Sequence, residues 1–212
     1  MNPMIRNAAR LMTVAALAVG LSGCISLFPK AEPASLYRFG EAEVSVPKGP
    51  PGTMFGVLKT PSSFTRAAAG DRILTSTNGE MAYIADARWV SPAFVLFEEA
   101  TARAFENDPG RARLIGRGEV AKADMMLRLE VRTFEADYVN GPKAAPEVVV
   151  RVRSVLTRSQ DRALVGDQIF EARVKATDNR VGAIVPAYDQ AVAKVLGDIV
   201  AWVNASGSGL KG

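Results

Sequence analysis

Apolar and polar residues alternate most regularly in three stretches of the second half of the chain. In the first, Met125, Leu127, Leu129 and Val131 share one parity, and Arg128, Glu130 and Arg132 the other. In the second, Val148, Val150, Val152 and Leu156 oppose Arg151 and Arg153. In the third, Phe170, Ala172 and Val174 oppose Glu171, Arg173 and Lys175. A period of two is the pleat of a β-strand. One-sided strands of this kind pair antiparallel, with one face on a core and one in water. A one-residue slip would exchange the faces, so burial holds the register. The connections fall at Tyr138 to Pro146 and Arg158 to Ala163.

Shorter strands are predicted upstream, at Leu36–Phe39, Met54–Lys59, Arg72–Thr77 and Glu80–Ala85. The last two flank Asn78-Gly79, a pair that supplies positive φ at both central positions of a hairpin turn. Helical spacing appears twice. From Ser91 to Asn107, Phe94, Phe97, Thr101, Ala104 and Phe105 form one face; Ser91-Pro92 supplies a capping hydroxyl before a first-turn proline, and Asp108-Pro109-Gly110 a stop. From Pro186 to Asn204, Tyr188, Val192, Val195, Leu196, Ile199 and Val203 form a stripe. The expected fold is α+β: two layers, a largely antiparallel sheet with two amphipathic helices packed on one face.

The N-terminus follows a different pattern. Arg6 and Arg10 precede an uncharged run from Leu11 to Leu21, well short of the roughly 20 residues of a membrane-spanning helix. This is the layout of a secretory signal. The only cysteine, Cys24, follows Leu21-Ser22-Gly23, and the segment resembles a bacterial lipobox. That resemblance implies diacylglycerol on the Cys24 sulfur, cleavage before it and acylation of the new amino group. Several acyl chains on one residue meet the two-signal requirement for stable anchoring. Ile25 follows, where an Asp favours inner-membrane retention in well-studied lipoproteins, so the expectation leans to the outer membrane, facing the periplasm. The expected layout is a signal peptide over 1–23, a lipidated tether over 24–34, one domain over 35–204 and a flexible tail over 205–212.

Composition narrows the chemistry. The 212 residues contain no histidine, which removes Ser-His-Asp triads, Cys-His pairs and His-ligated metals. One cysteine forms no internal disulfide and no multi-thiolate zinc site. The formal charge is +4, and cleavage would remove Arg6 and Arg10. Lys and Arg are interspersed with acids, without the aromatic ladder of a nucleic-acid surface. Asp86, Asp124, Glu130 and Asp137 offer carboxylates, but no spacing singles out an acid–base pair. The alternating Arg/Glu sheet face reads as solvated, with cross-strand ion pairs. Tyr83, Arg88 and Trp89 form an aromatic and basic cluster before the first helix. It is a candidate partner interface, because these residue types are enriched at binding hot spots; the competing reading places Trp89 in the core.

In order along the chain, four features resemble one known family. They are Cys24 in its lipobox; Leu36-Tyr37-Arg38-Phe39, where the family has a Tyr-rich strand; Met81 to Trp89 running into Ser91-Pro92 and a helix; and the strand opening Ala123-Asp124-Met125-Met126-Leu127-Arg128-Leu129. The family is that of the auxiliary lipoproteins of ABC-type transport systems, including the lipoproteins of paraquat-inducible intermembrane transport operons. One departure is the single Tyr37 where many members have a pair. The resemblance implies a periplasm-facing, lipid-anchored component of the cell envelope with no catalytic residue and no cofactor. Its partners would be an ABC permease and ATPase and a mammalian-cell-entry (MCE) domain protein, with phospholipid as the transported material and a homo-oligomer left open. The alternative is a structural lipoprotein supporting outer-membrane assembly or envelope integrity.

Overall fold

The computed structural model describes residues 33–47, 52–116 and 118–207. Cys24, the signal peptide and most of the tether lie outside them, as do residues 208–212. The described strands are β1 (Ser35–Tyr37), β2 (Phe55–Lys59), β3 (Ser63–Phe64), β4 (Arg72–Thr77), β5 (Glu80–Trp89), β6 (Ala112–Leu114), β7 (Met125–Asp137), β8 (Glu147–Arg158) and β9 (Leu164–Lys175). Helix α1 (Ala93–Glu106) follows β5, and α2 (Val181–Ser206) follows β9. The architecture is the α+β arrangement that the patterning predicts.

Strand β7 organises the sheet. Along one edge it pairs antiparallel with β8, which pairs antiparallel with β9. Along its other edge it meets β2, β3 and β4 in turn, each parallel to it. Between these short ladders, the Thr60 and Thr65 amides donate to the Leu127 and Val131 carbonyls, both at 3.0 Å. Strand β5 lies antiparallel on β4, and β1 adds parallel to β5 at the outer edge. Strand β6 extends β2, also parallel. The sheet is therefore mixed: long antiparallel ladders joined to short parallel ones. Parallel neighbours need a crossover, and α1 lies in the connection that returns the chain from β5 to β6, beside β2.

The hydrophobic pattern places the inner face where expected, with one phase change. Arg132 is an extra residue in β7 against β8, so Val131 faces Val152 while Thr133 faces Arg151. Beyond this bulge the buried positions become Phe134 and Ala136. Asn78 and Gly79 have φ of 51° and 84°, as the predicted hairpin turn requires.

The helices differ from expectation at their ends. Ser91 does not cap α1: Pro92 occupies the cap position without a side-chain bond. The amides of Ala93 and Phe94 donate instead to the Gly70 and Ala69 carbonyls, at 2.9 and 3.4 Å. Phe94 points away from the core, 44% exposed, and Ala93, Leu96 and Ala100 complete the buried stripe. Helix α2 starts at Val181, so Pro186 lies inside it, and it ends at Ser206, past the expected boundary at Asn204. Gly207 is buried too, so the expected flexible tail does not begin at Ala205.

Both helices cover the inner face. Phe97 of α1 meets Phe64 edge-on, with ring centroids 5.7 Å apart. Tyr188 of α2 meets Phe134 at 5.0 Å and Trp89 at 5.1 Å. Phe39 closes this cluster, 4.9 Å from Trp89 and 5.1 Å from Phe134. Each such aromatic pair adds about 0.5–1.5 kcal/mol beyond the area it buries. The Tyr188 hydroxyl donates to the Leu74 carbonyl at 3.0 Å, so the one polar atom of its ring is satisfied. Burial pushes this phenol well above its ordinary pKa.

Candidate functional site

The structure separates the three residues of the aromatic and basic cluster. Trp89 ends β5 pointing inward, 2% exposed. It is the hub of the aromatic core, which corrects its candidacy as a surface contact: alternation along β5 and packing against Phe39 and Tyr188 turn it in. Arg88, one residue earlier, points outward and pairs with Asp71 at 3.0 Å. Tyr83 is half-buried and donates its hydroxyl to the Ala67 carbonyl at 3.0 Å. The Arg72 guanidinium lies over the Tyr83 ring, 3.7 Å from its centroid. Arg72 and Arg88 are register partners across β4 and β5, and Leu36 is the register partner of Arg88 across β1 and β5. Leu36, Arg88 and Arg72 thus form one outward row over three strands.

The outward face of β7, β8 and β9 is charged, and most of its charges are matched internally. Arg151 and Arg173 both bond Glu171, and Arg173 also reaches Glu147 at 3.2 Å. Arg153 grips Asp167, its Nε donating at 2.9 Å, and approaches Glu130 at 3.4 Å; Arg132 meets the same Glu130 at 3.3 Å. Bonds from Arg132, Arg153 and Arg173 hold Glu130, Asp167 and Glu171, respectively, below the usual carboxylate range. Most of the face is thus an ion-pair network; exposed Arg128 and Lys175 stand outside it, without an ion pair among the described residues.

A surface cavity of about 560 Å³ opens beside α1, with Phe105, Leu114 and Ile115 on its wall and Lys59, Glu98 and Arg113 at its rim. The Lys59 ammonium donates to both Glu98 oxygens, at 2.8 and 2.6 Å, and the Ser62 amide to one of them at 3.0 Å. Burial raises the Glu98 pKa, but these bonds outweigh it and leave the carboxyl below its ordinary value. Lys59 and Glu98 neutralise each other, while Arg113 donates to the Asp108 and Ala112 carbonyls at 3.4 and 2.9 Å.

The remaining candidate carboxylates lie apart. Asp124 accepts the Gly56 amide at 2.9 Å, and Asp137 accepts the Ser76 hydroxyl at 3.0 Å. Asp86 is exposed, at φ 53° in the irregular part of β5. Two residues that the periodicity passed over hold the domain's ends. Asp189 accepts the amides of Gly40, Glu41 and Ala42, at 2.6, 2.8 and 3.1 Å. Asn204 accepts the amides of Arg111 and Ala112, both at 2.8 Å, and donates to Asp108. A polar residue inside or beside an apolar helical stripe was the available signal for both. Among the described residues, no helix is long and apolar enough to cross a membrane.

Comparison with known proteins gives the family. A family model described as the ABC-type transport auxiliary lipoprotein component matches residues 42–200. Among solved structures, protein XCC0632 from Xanthomonas campestris, of the family DUF330, is 25% identical, with a TM-score of 0.72 over 82% of this chain and 97% of its own. An uncharacterised protein at 15% identity has a TM-score of 0.63 over 81% of this chain and 99% of its own, and shares the fold. No curated protein matches.

Proposed function

The chain belongs to the ABC-type transport auxiliary lipoprotein component family, and from that premise we propose that it is a lipid-anchored, periplasm-facing docking subunit of an ABC/MCE-type intermembrane lipid transport system. The observation that carries the reading is the family match over residues 42–200, preceded by Leu21-Ser22-Gly23-Cys24. Cys24 carries the acyl chains; the segment that follows tethers the domain to its membrane, on present signals the outer one. The domain performs no chemistry of its own. It holds an MCE-domain protein, and through it the permease and ATPase, near one membrane. Tethering raises the effective concentration of the partner, so weak contacts suffice.

Two measurements test this. Gentle detergent purification of the tagged, lipidated protein, followed by mass spectrometry, should recover an MCE-domain protein with its permease and ATPase. Outer-membrane assembly factors in their place would favour the structural lipoprotein. Cys24→Ala should abolish transport while leaving the domain's melting temperature unchanged. A fully active, unlipidated Cys24→Ala protein would remove the tethering mechanism.

A further inference from the structure

The surface beside the chain's entry into the domain differs from the rest of the sheet. Strand β1 starts at Ser35 and forms an edge that pairs only with β5 among the described residues. Leu36 on that edge is 63% exposed, and Val90, whose amide donates to the Tyr37 carbonyl at 2.7 Å, is 45% exposed. Arg88 is the register partner of Leu36 and stands two residues before Val90, and Arg72 is its partner on β4. Asp71 neutralises Arg88. Arg72 has an aromatic ring under it and no carboxylate partner among the described residues. Two apolar side chains therefore flank a row of guanidinium groups with a net positive charge. Trp89 and Tyr37, turned inward at the same level, fasten this row to the core.

We infer that this corner, Leu36 and Val90 with Arg88 and Arg72, is the face that the domain lays on an anionic phospholipid surface. The inference rests on the anchor reading of Cys24. Two facts favour a bilayer as the occupant. Cys24 precedes Ser35 by 11 residues, a length that spans at most about 40 Å when fully extended. The N-terminal edge of β1 therefore stays within about 40 Å of the anchored membrane, the shortest reach of any strand in the domain. The chemistry also fits: guanidinium groups pair with phosphate, and the apolar side chains beside them reach the acyl boundary. On β7, β8 and β9 most arginines are instead bonded to carboxylates, and exposed Ile169 stands between Asp167 and Glu171 along β9.

The test uses the full, lipidated protein. Its one native thiol is occupied by the anchor, so a cysteine introduced as Leu36→Cys or Val90→Cys takes an environment-sensitive fluorophore alone. Leu164→Cys, on the far edge strand and at a site 64% exposed, is the control. Each protein is reconstituted into vesicles of phosphatidylcholine with phosphatidylglycerol, and of phosphatidylcholine alone. Melting curves verify the fold and mass spectrometry the acylation. The expected result is a blue shift, with quenching by lipid-borne quenchers, at positions 36 and 90 in the anionic vesicles and not at 164. Arg72→Gln and Arg88→Gln should each lower the docked-to-undocked ratio about fivefold. Acylated protein whose probes at 36 and 90 remain water-exposed overturns the docking face and leaves the anchor standing. A shift that appears only with an added protein complex, without lipid quenching, makes the corner a protein contact and overturns it too. Unacylated Cys24 removes the anchor and this inference together.

Discussion

Two outward faces of one sheet carry arginines and use them differently. On β7, β8 and β9, Arg151, Arg153 and Arg173 each hold a carboxylate from a neighbouring strand. On the β1–β5–β4 corner, Arg72 stacks on Tyr83 and exposed Leu36 stands two strands away. The first face satisfies most of its own charges, so its contribution is to stability and register. The second is left with positive charge and apolar area facing water. Arginine content alone does not separate them; the partners do.

The comparison breaks most sharply at Trp89. Trp89→Ala removes the ring that joins Phe39, Phe134 and Tyr188 and should cost about 3–5 kcal/mol in denaturant unfolding. A cost below about 1 kcal/mol would mean that the corner is not built on the aromatic core. Asp189 sharpens the same point at smaller scale. Asp189→Ala orphans three amides just after β1 and should cost about 1–3 kcal/mol, with faster hydrogen exchange at Gly40, Glu41 and Ala42.

Acid tests the opposite face and gives the smallest effect. Glu130, Asp167 and Glu171 have lowered pKa values in the folded state. Unfolding returns them to the ordinary range, so their stabilisation is present above that range and is lost as pH falls through the lowered values. The melting temperature should decline modestly below about pH 4. Arg151→Ala combined with Arg173→Ala should flatten the decline attributable to Glu171. An unchanged acid profile in that double variant would show that the network contributes nothing measurable. High salt should weaken it, because these groups are exposed.

Elements with a long period were legible in the residues. Alternating runs define much of β7, β8 and β9, which are 13, 12 and 12 residues long, and the stripe from Tyr188 to Val203 defines most of α2. Strands β3 and β6 were not legible, because two or three residues carry no period. The cap of α1 was misread for a different reason: Ser91-Pro92 has local capping chemistry, but the carbonyls of Ala69 and Gly70, from the turn before β4, fill that role. The site was legible only in fragments. Arg88 and Tyr83 were within reach of a sequence argument, whereas Leu36 and Arg72 joined them only through register.

The sequence by itself determined the one-sided strands and both amphipathic stripes, since each depends on residues close together in the chain, and its composition excluded histidine chemistry. Tertiary structure decided which exposed side chains are matched and which are not. That depends on which strands lie side by side, and β1, β4 and β5 meet at distances along the chain that no local period records. It also decided the direction of Trp89, because the energy of burying its ring comes from Phe39, Phe134 and Tyr188, contributed by three separate segments.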